Sequence, residues 1–286
     1  MRLSDHGLGV LLVTGSAVAW STAGLFTRLL AMDAPTMLVW RGVFGAAGLL
    51  VVLLLRDGAA GLAGFRQLGR AGWLYALVSA AGMLCFITGL TLTSVAHVAV
   101  IYAVAPFLAA GLGWALLGEA PGRDGLIAAA LALAGAAVMV GLSADGGLLG
   151  DLLALGMTLA MALMMVIARA RPGIPTLPAA SLSALLSSLA VLPFASHSLP
   201  VAADMIVLAG FGLVNSALGL ALFLAGSARL PPVQTALIGE LDAPLAPLWV
   251  WIVFSEAAGP ATLVGGAVVM AAVIWHILAT ARPAEA

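Results

Sequence analysis

Ten stretches of roughly 20 apolar residues follow one another along the 286-residue chain. They run at about 8–29, 35–55, 72–92, 95–117, 125–142, 148–168, 179–196, 203–226, 233–254 and 260–280. A helix needs about 20 such residues to cross hydrocarbon, and in lipid the backbone must satisfy its own hydrogen bonds. The connections are short, and none holds a soluble domain. Residues are 63% hydrophobic and only 8% charged, with a mean hydropathy of +1.19. Soluble domains carry about 25% charged residues, so this chain cannot clothe itself for water. The expected fold is an all-α membrane protein of ten transmembrane helices in a lipid bilayer. The run after "MRLSDHG" lacks a small-residue cleavage site and reads as a retained first helix. A net charge of −1 argues against a nucleic-acid partner. The single cysteine, Cys85, excludes an internal disulfide framework and a CxxC metal or redox pair. There is no GxSxG, HExxH or Walker motif, so neither an enzyme nor a cofactor is expected.

Arginine placement orients the segments. With a cytoplasmic N-terminus, Arg2, Arg56, Arg66, Arg70, Arg123, Arg169, Arg171, Arg229 and Arg282 fall on the cytoplasmic side. Only Arg28 and Arg41 lie toward the outside, a clear positive-inside bias. Both termini are therefore expected in the cytoplasm. The chain also resembles itself. At a shift of 137, Gly82, Phe86, Gly89, Trp114 and Glu119 meet Gly219, Phe223, Gly226, Trp251 and Glu256. At 141, Gly9, Gly15 and Arg28 meet Gly150, Gly156 and Arg169. The expected halves are 1–144 and 145–286, with five helices each. An odd number makes the second copy enter the membrane from the opposite face, an inverted repeat of the kind transporters use.

The segments "APFLAAGLGWALLGEAPG" (105–122) and "APLAPLWVWIVFSEAAG" (243–259) each carry a proline, an apolar run and a glutamate at the helix end. With "TSVAHVAVI" and "ARLPPVQTALI" before them, they resemble the drug/metabolite transporter superfamily in its ten-helix form built from two EamA-type repeats. The second copy has Ser255 where the pattern has glycine. The resemblance covers the whole chain and is nearest to amino-acid and metabolite exporters, including exporters of aromatic amino acids. It implies a central cavity lined by segments 1–4 and 6–9, with segments 5 and 10 at the periphery, in the inner (plasma) membrane.

Candidate site residues cluster in "TALIGELDAPLAP". Glu240 and Asp242 lie about 10–14 Å into their segment, near mid-membrane. A charge facing lipid there costs at least about 2.5–3.5 kcal/mol. Two residues apart means about 200° around a helix, so one acid is expected in the cavity, Glu240 rather than Asp242, and the other against a neighbour. Pro244 and Pro247 each remove a backbone hydrogen bond and should break the helix around Gly239 to Asp242. Pro106 does the same in segment 4. Breaks at matching places in two repeats point to a transport site, and all three prolines are candidate hinges.

Trp20 and Tyr102 are mid-membrane and suit either a cavity wall or helix packing. Asn215 and Ser216 should face inward. Arg41 could grip a substrate carboxylate, though snorkelling or pairing with Asp33 is favoured. His97 could relay protons or cap. Met157, Met161, Met164 and Met165 form a stripe that suits an adaptable wall, Met161 above all, or plain packing. Glu119 and Glu256 read as structural caps.

The expected function is secondary transport of amino acids, aromatic ones included, or of similar small metabolites, with protons as a potential second cargo. Lipophilic drug cations are the alternative. Nucleotide sugars or sugar phosphates rank lower, because they want several mid-membrane cations and the chain has no lysine.

Overall fold

The computed structural model describes residues 4–93, 95–140, 147–196, 199–255 and 259–281. Among them all regular structure is helical, with no strand. Among the described residues nine helices are long and apolar enough to cross a membrane. The remaining expected segment, 125–142, is present as helix α8 (Arg123–Val140), packed along the last helix.

Four of the crossings are interrupted. The first is α1 (Asp5–Ser21) and α2 (Ala23–Leu29), separated at Thr22. Ser4 caps α1 by accepting from the Gly7 N–H at 3.0 Å. The second, α3 (Ala34–Asp57), starts on Asp33 and continues through a 3₁₀ turn into the short α4 (Ala63–Arg66), well past the expected end at 55. Asp33 accepts from the Thr36 N–H at 2.9 Å and the Ser196 hydroxyl at 2.6 Å, tying the start of α3 to the far end of α10. Burial pushes the Asp33 carboxyl up, but these hydrogen bonds outweigh it and hold it below the ordinary aspartate value.

α5 (Gly69–Leu92) is continuous. The next crossing is α6 (Val95–Tyr102) and α7 (Ala105–Leu117), broken at Ala103 and Val104 just before Pro106. α9 (Leu148–Ala170) and α10 (Thr176–Val191) are uninterrupted. α11 (Ala202–Phe211) passes into a π-helical stretch, Gly212–Gly219, before α12 (Leu220–Ser227). The last broken crossing is α13 (Pro232–Gly239) and α14 (Asp242–Phe254). α15 (Pro260–Ala281) closes the chain.

One end of the bundle carries the cations. There Arg229 meets Asp5 at 3.2 Å and Arg169 meets Glu119 at 2.9 Å. Glu119 is thus an ion-pair partner between α7 and α9 rather than the expected cap; Glu256 lies outside the described residues. The largest core cluster fills the half toward this end, with Tyr75, Met165, Phe223 and Leu224 buried against Ala105, Ala109 and Ala236. The opposite end carries Asp33 and Ser196 and is less completely filled.

α8 and α15 approach backbone to backbone. A Cβ on Gly265 would strike the Gly135 carbonyl and come within 2.7 Å of the Met139 nitrogen. Gly265→Val should therefore force the pair apart, an overpacking cost of about 1–3 kcal/mol, and lower the midpoint of thermal unfolding in detergent. Gly111→Ala, where a Cβ meets nothing within 4 Å, should not lower it.

Candidate functional site

The interrupted helices converge on a cavity of about 270 Å³. Small-molecule pockets run roughly 300–1,000 Å³, so this is room for an amino-acid-sized molecule. Its wall draws on α1, α2, α3, α5, α6, α9, α10, the π-helical stretch, α12 and α14, and on neither α8 nor α15. It reaches Leu38 and Phe86 toward the Asp33 end and stops at Met164 and Leu220, above the packed core.

Asn215 organises the wall. Its amide donates to the carbonyls of Ala19 at 3.0 Å and Trp20 at 3.3 Å, the last turn of α1 before the break. Its side-chain oxygen accepts from Arg41 Nη1 at 3.2 Å. Its own backbone carbonyl, displaced by the π-helical winding, accepts from Trp20 Nε1 at 3.0 Å. Trp20 lies over Phe223 with ring centroids 4.9 Å apart. The winding is possible because Gly212 lies directly on α3: a Cβ there would come within 2.6 Å of the Arg41 carbonyl. Trp249 Nε1 donates to Ser21 Oγ at 2.8 Å, pinning α14 to the same interruption of α1.

Arg41 neither snorkels outward nor pairs with Asp33, which is engaged in capping α3. The guanidinium lies over the Phe211 ring at 5.4 Å and its Nε has no hydrogen-bond partner among the described residues. It is a half-buried cation with unused donors on the cavity wall.

The two acids take the opposite places from those expected. Asp242 lines the cavity; Glu240 does not, being 2% exposed. The helix breaks at Glu240 and Leu241, so the Asp242 side chain leaves the first turn of α14 rather than continuing the rotation of α13. The two acids do not share a face, as their spacing required, and the break decides which of them faces the cavity.

Trp20, Arg41, Tyr102, Met161, Asn215, Ser216 and Asp242 are brought together on one wall. Met157 and Met164 join them, while Met165 packs in the core. Pro106 sits in the first turn of α7 and Pro244 and Pro247 lie in α14, beside the breaks rather than on the wall. His97 belongs to α6, but its side chain lies outside the described residues. Gln234, its partner in the self-alignment, bonds His6 and Thr280 at the cation-bearing end.

Sequence reasoning missed the serines. Ser79 and Ser187 face each other across the cavity wall at 3.3 Å, and Ser188 donates to the Val39 carbonyl at 2.7 Å. The signal was present in "SLSALLSS", where hydroxyls at 181 and 188 recur on one helical face of an apolar segment.

Residues 7–141 match the EamA-like transporter family. The match covers a little under half of the chain and, with the apolar helices, supports a multi-pass, all-α membrane protein. A solved crystal structure aligns over 96% of this chain and 99% of its own, with a TM-score of 0.84 at 19% identity, a likeness of fold. No curated protein matches the sequence.

Asn215→Ala would leave Arg41 Nη1 without its acceptor and remove one donor each from the Ala19 and Trp20 carbonyls, which keep the Thr22 N–H. The loss should cost about 1–3 kcal/mol, read as a lowered unfolding midpoint in detergent.

Proposed function

We propose that the protein is a secondary transporter, EamA-like over its full length, that exports amino acids, aromatic ones among them, or similar small metabolites by alternating access. The observation that carries this reading is a cation and an acid, Arg41 and Asp242, on the wall of one cavity of amino-acid size, which Trp20, Phe86, Tyr102 and four methionines also line. A zwitterion needs both charges. Its carboxylate fits the unused guanidinium donors of Arg41 and its ammonium fits Asp242, while the aromatic and thioether surfaces take the side chain. Lipophilic drug cations would use Asp242 and the rings, but Arg41 on the same wall repels them. Nucleotide sugars and sugar phosphates would find only one cation there.

The halves 1–144 and 145–286 are read as inverted repeats. At the shift of 137 residues, the break at Ala103 and Val104 falls on the break at Glu240 and Leu241. Pro106, Pro244 and Pro247 keep these breaks from annealing and make them the hinges of a switch between outward and inward access. The packed core above Arg169 and Arg229 is the closed side. The arginines at that end support a cytoplasmic placement, with both termini cytoplasmic and the chain in the inner (plasma) membrane.

Counterflow in proteoliposomes across the twenty amino acids and a set of cationic dyes tests the substrate class. Asp242→Asn and Arg41→Gln should each weaken apparent affinity by roughly 10–100-fold, the equivalent of the ~1.5–3 kcal/mol of a hydrogen bond to a charged group. Pro106→Ala with Pro244→Ala should slow exchange without a comparable loss of binding. Dyes carried in preference to amino acids, with Arg41→Gln harmless, would establish the cation reading instead.

Reporter fusions at the two termini should both report a cytoplasmic location in cells. A periplasmic signal from either one would overturn the orientation.

A further inference from the structure

Glu240 has no function in the cavity, yet it is among the largest fully buried side chains. Its Oε1 has no hydrogen-bond partner and it has no salt-bridge partner among the described residues. Its neighbours Leu237, Ile238 and Leu241 are packed into apolar clusters. Of the ionisable groups on the helices around α13, Asp5 and His6 on α1, Arg123 and Asp124 on α8, Arg169 on α9 and His276 on α15 lie toward the cation-bearing end, while Asp151, in the first turn of α9, lies at the opposite end and accepts from Thr93. Near Glu240 in the chain is only Asp242; across from α14, Tyr102 shares the cavity wall with it. An ionised carboxylate enclosed in this way is far too costly, whereas the neutral acid is tolerable.

Two further facts bear on its role. Glu240 is one of the two residues at the break between α13 and α14, so any bend there moves it directly. The preceding Gly239 is buried, yet a Cβ on it would meet nothing within 4 Å, so unfilled space adjoins the acid.

We propose that Glu240 is the proton site of a substrate–proton antiport, separate from the substrate site at Asp242; this rests on the reading of the cavity as an amino-acid site. In the conformation described, the cavity extends toward the Asp33 end and Glu240 holds its proton. Bending at Glu240–Leu241 brings the carboxyl to water on the opposite side, where the proton passes to water and leaves a carboxylate. Asp242, two residues away, supplies the coupling. Its charge, when unoccupied, disfavours a second carboxylate and favours proton uptake by Glu240. A substrate ammonium on Asp242 cancels that charge and favours proton release. Substrate and proton thus replace one another, one cation loading as the other leaves.

The test uses purified protein in proteoliposomes and the first of the twenty amino acids that gives counterflow. Vesicles made acid inside should accumulate that amino acid, each unit of pH gradient supporting about a tenfold concentration ratio for one-to-one exchange. Glu240→Gln should abolish the accumulation while counterflow, which moves no net proton, persists. Asp242→Asn should lose both. In weakly buffered detergent solution, adding the amino acid should release protons from the wild type and not from Glu240→Gln. Should Glu240→Gln fail to insert, Glu240→Asp keeps a titratable group and must still accumulate substrate, with a displaced pH dependence. Counterflow without gradient-driven accumulation by the wild type, accumulation by Glu240→Gln, or an unchanged pH dependence in Glu240→Asp each overturns the proton site and leaves the cavity reading standing. Absence of counterflow with all twenty amino acids removes both.

Discussion

In a hydrocarbon setting no water completes the hydrogen bonds of an interrupted helix, so every break must be answered by a side chain or by a wet space. This chain breaks its helices at Thr22, at Ala103–Val104 and at Glu240–Leu241, and widens another between Gly212 and Gly219. Asn215 answers the first with two hydrogen bonds to the carbonyls of Ala19 and Trp20, and its own freed carbonyl takes Trp20 Nε1. One amide therefore joins two irregular backbones and leaves its oxygen for Arg41. The cavity exists where it does because the irregular segments are gathered at one depth.

Elsewhere the helices are held by close approach rather than by large apolar side chains. Lipid tails are as apolar as leucine, so burial of leucine gains little, and contact between small residues gains more. Gly212 against α3, Gly135 against Gly265, and the serines of α10 against the carbonyls of Val39 and Ala46 follow that rule. Of these Ser188 also lines the cavity, with Ser187 beside it. Packing and site polarity thus have a common source in α10.

Charge is arranged by side of the bundle. Ion pairs between Asp5 and Arg229 and between Glu119 and Arg169 lie at the end where the core is fullest. The wall of the cavity carries Arg41 and Asp242 unpaired with each other in the absence of a ligand. In the transporter proposed above, such a wall meets both charges of a zwitterion.

The placement of the apolar segments and the breaks before Pro106 and Pro244 were legible from the sequence. Segment length against bilayer thickness and the missing N–H of proline are local properties. The partner of Arg41 was not legible, because Asn215 lies 174 positions away and is aimed by a π-helical winding that the composition of Gly212–Gly219 does not announce. Which acid faces the cavity was also beyond the sequence. Periodicity assumes an unbroken rotation, and the chain loses that rotation between Glu240 and Asp242. Local chemistry determined that this protein crosses a membrane and where two of its helices break; only packing decided the break at Thr22, the π-helical winding, and that Asp242 looks into the cavity and Glu240 into the core, because the direction of a side chain after a break is set by the helices it docks against.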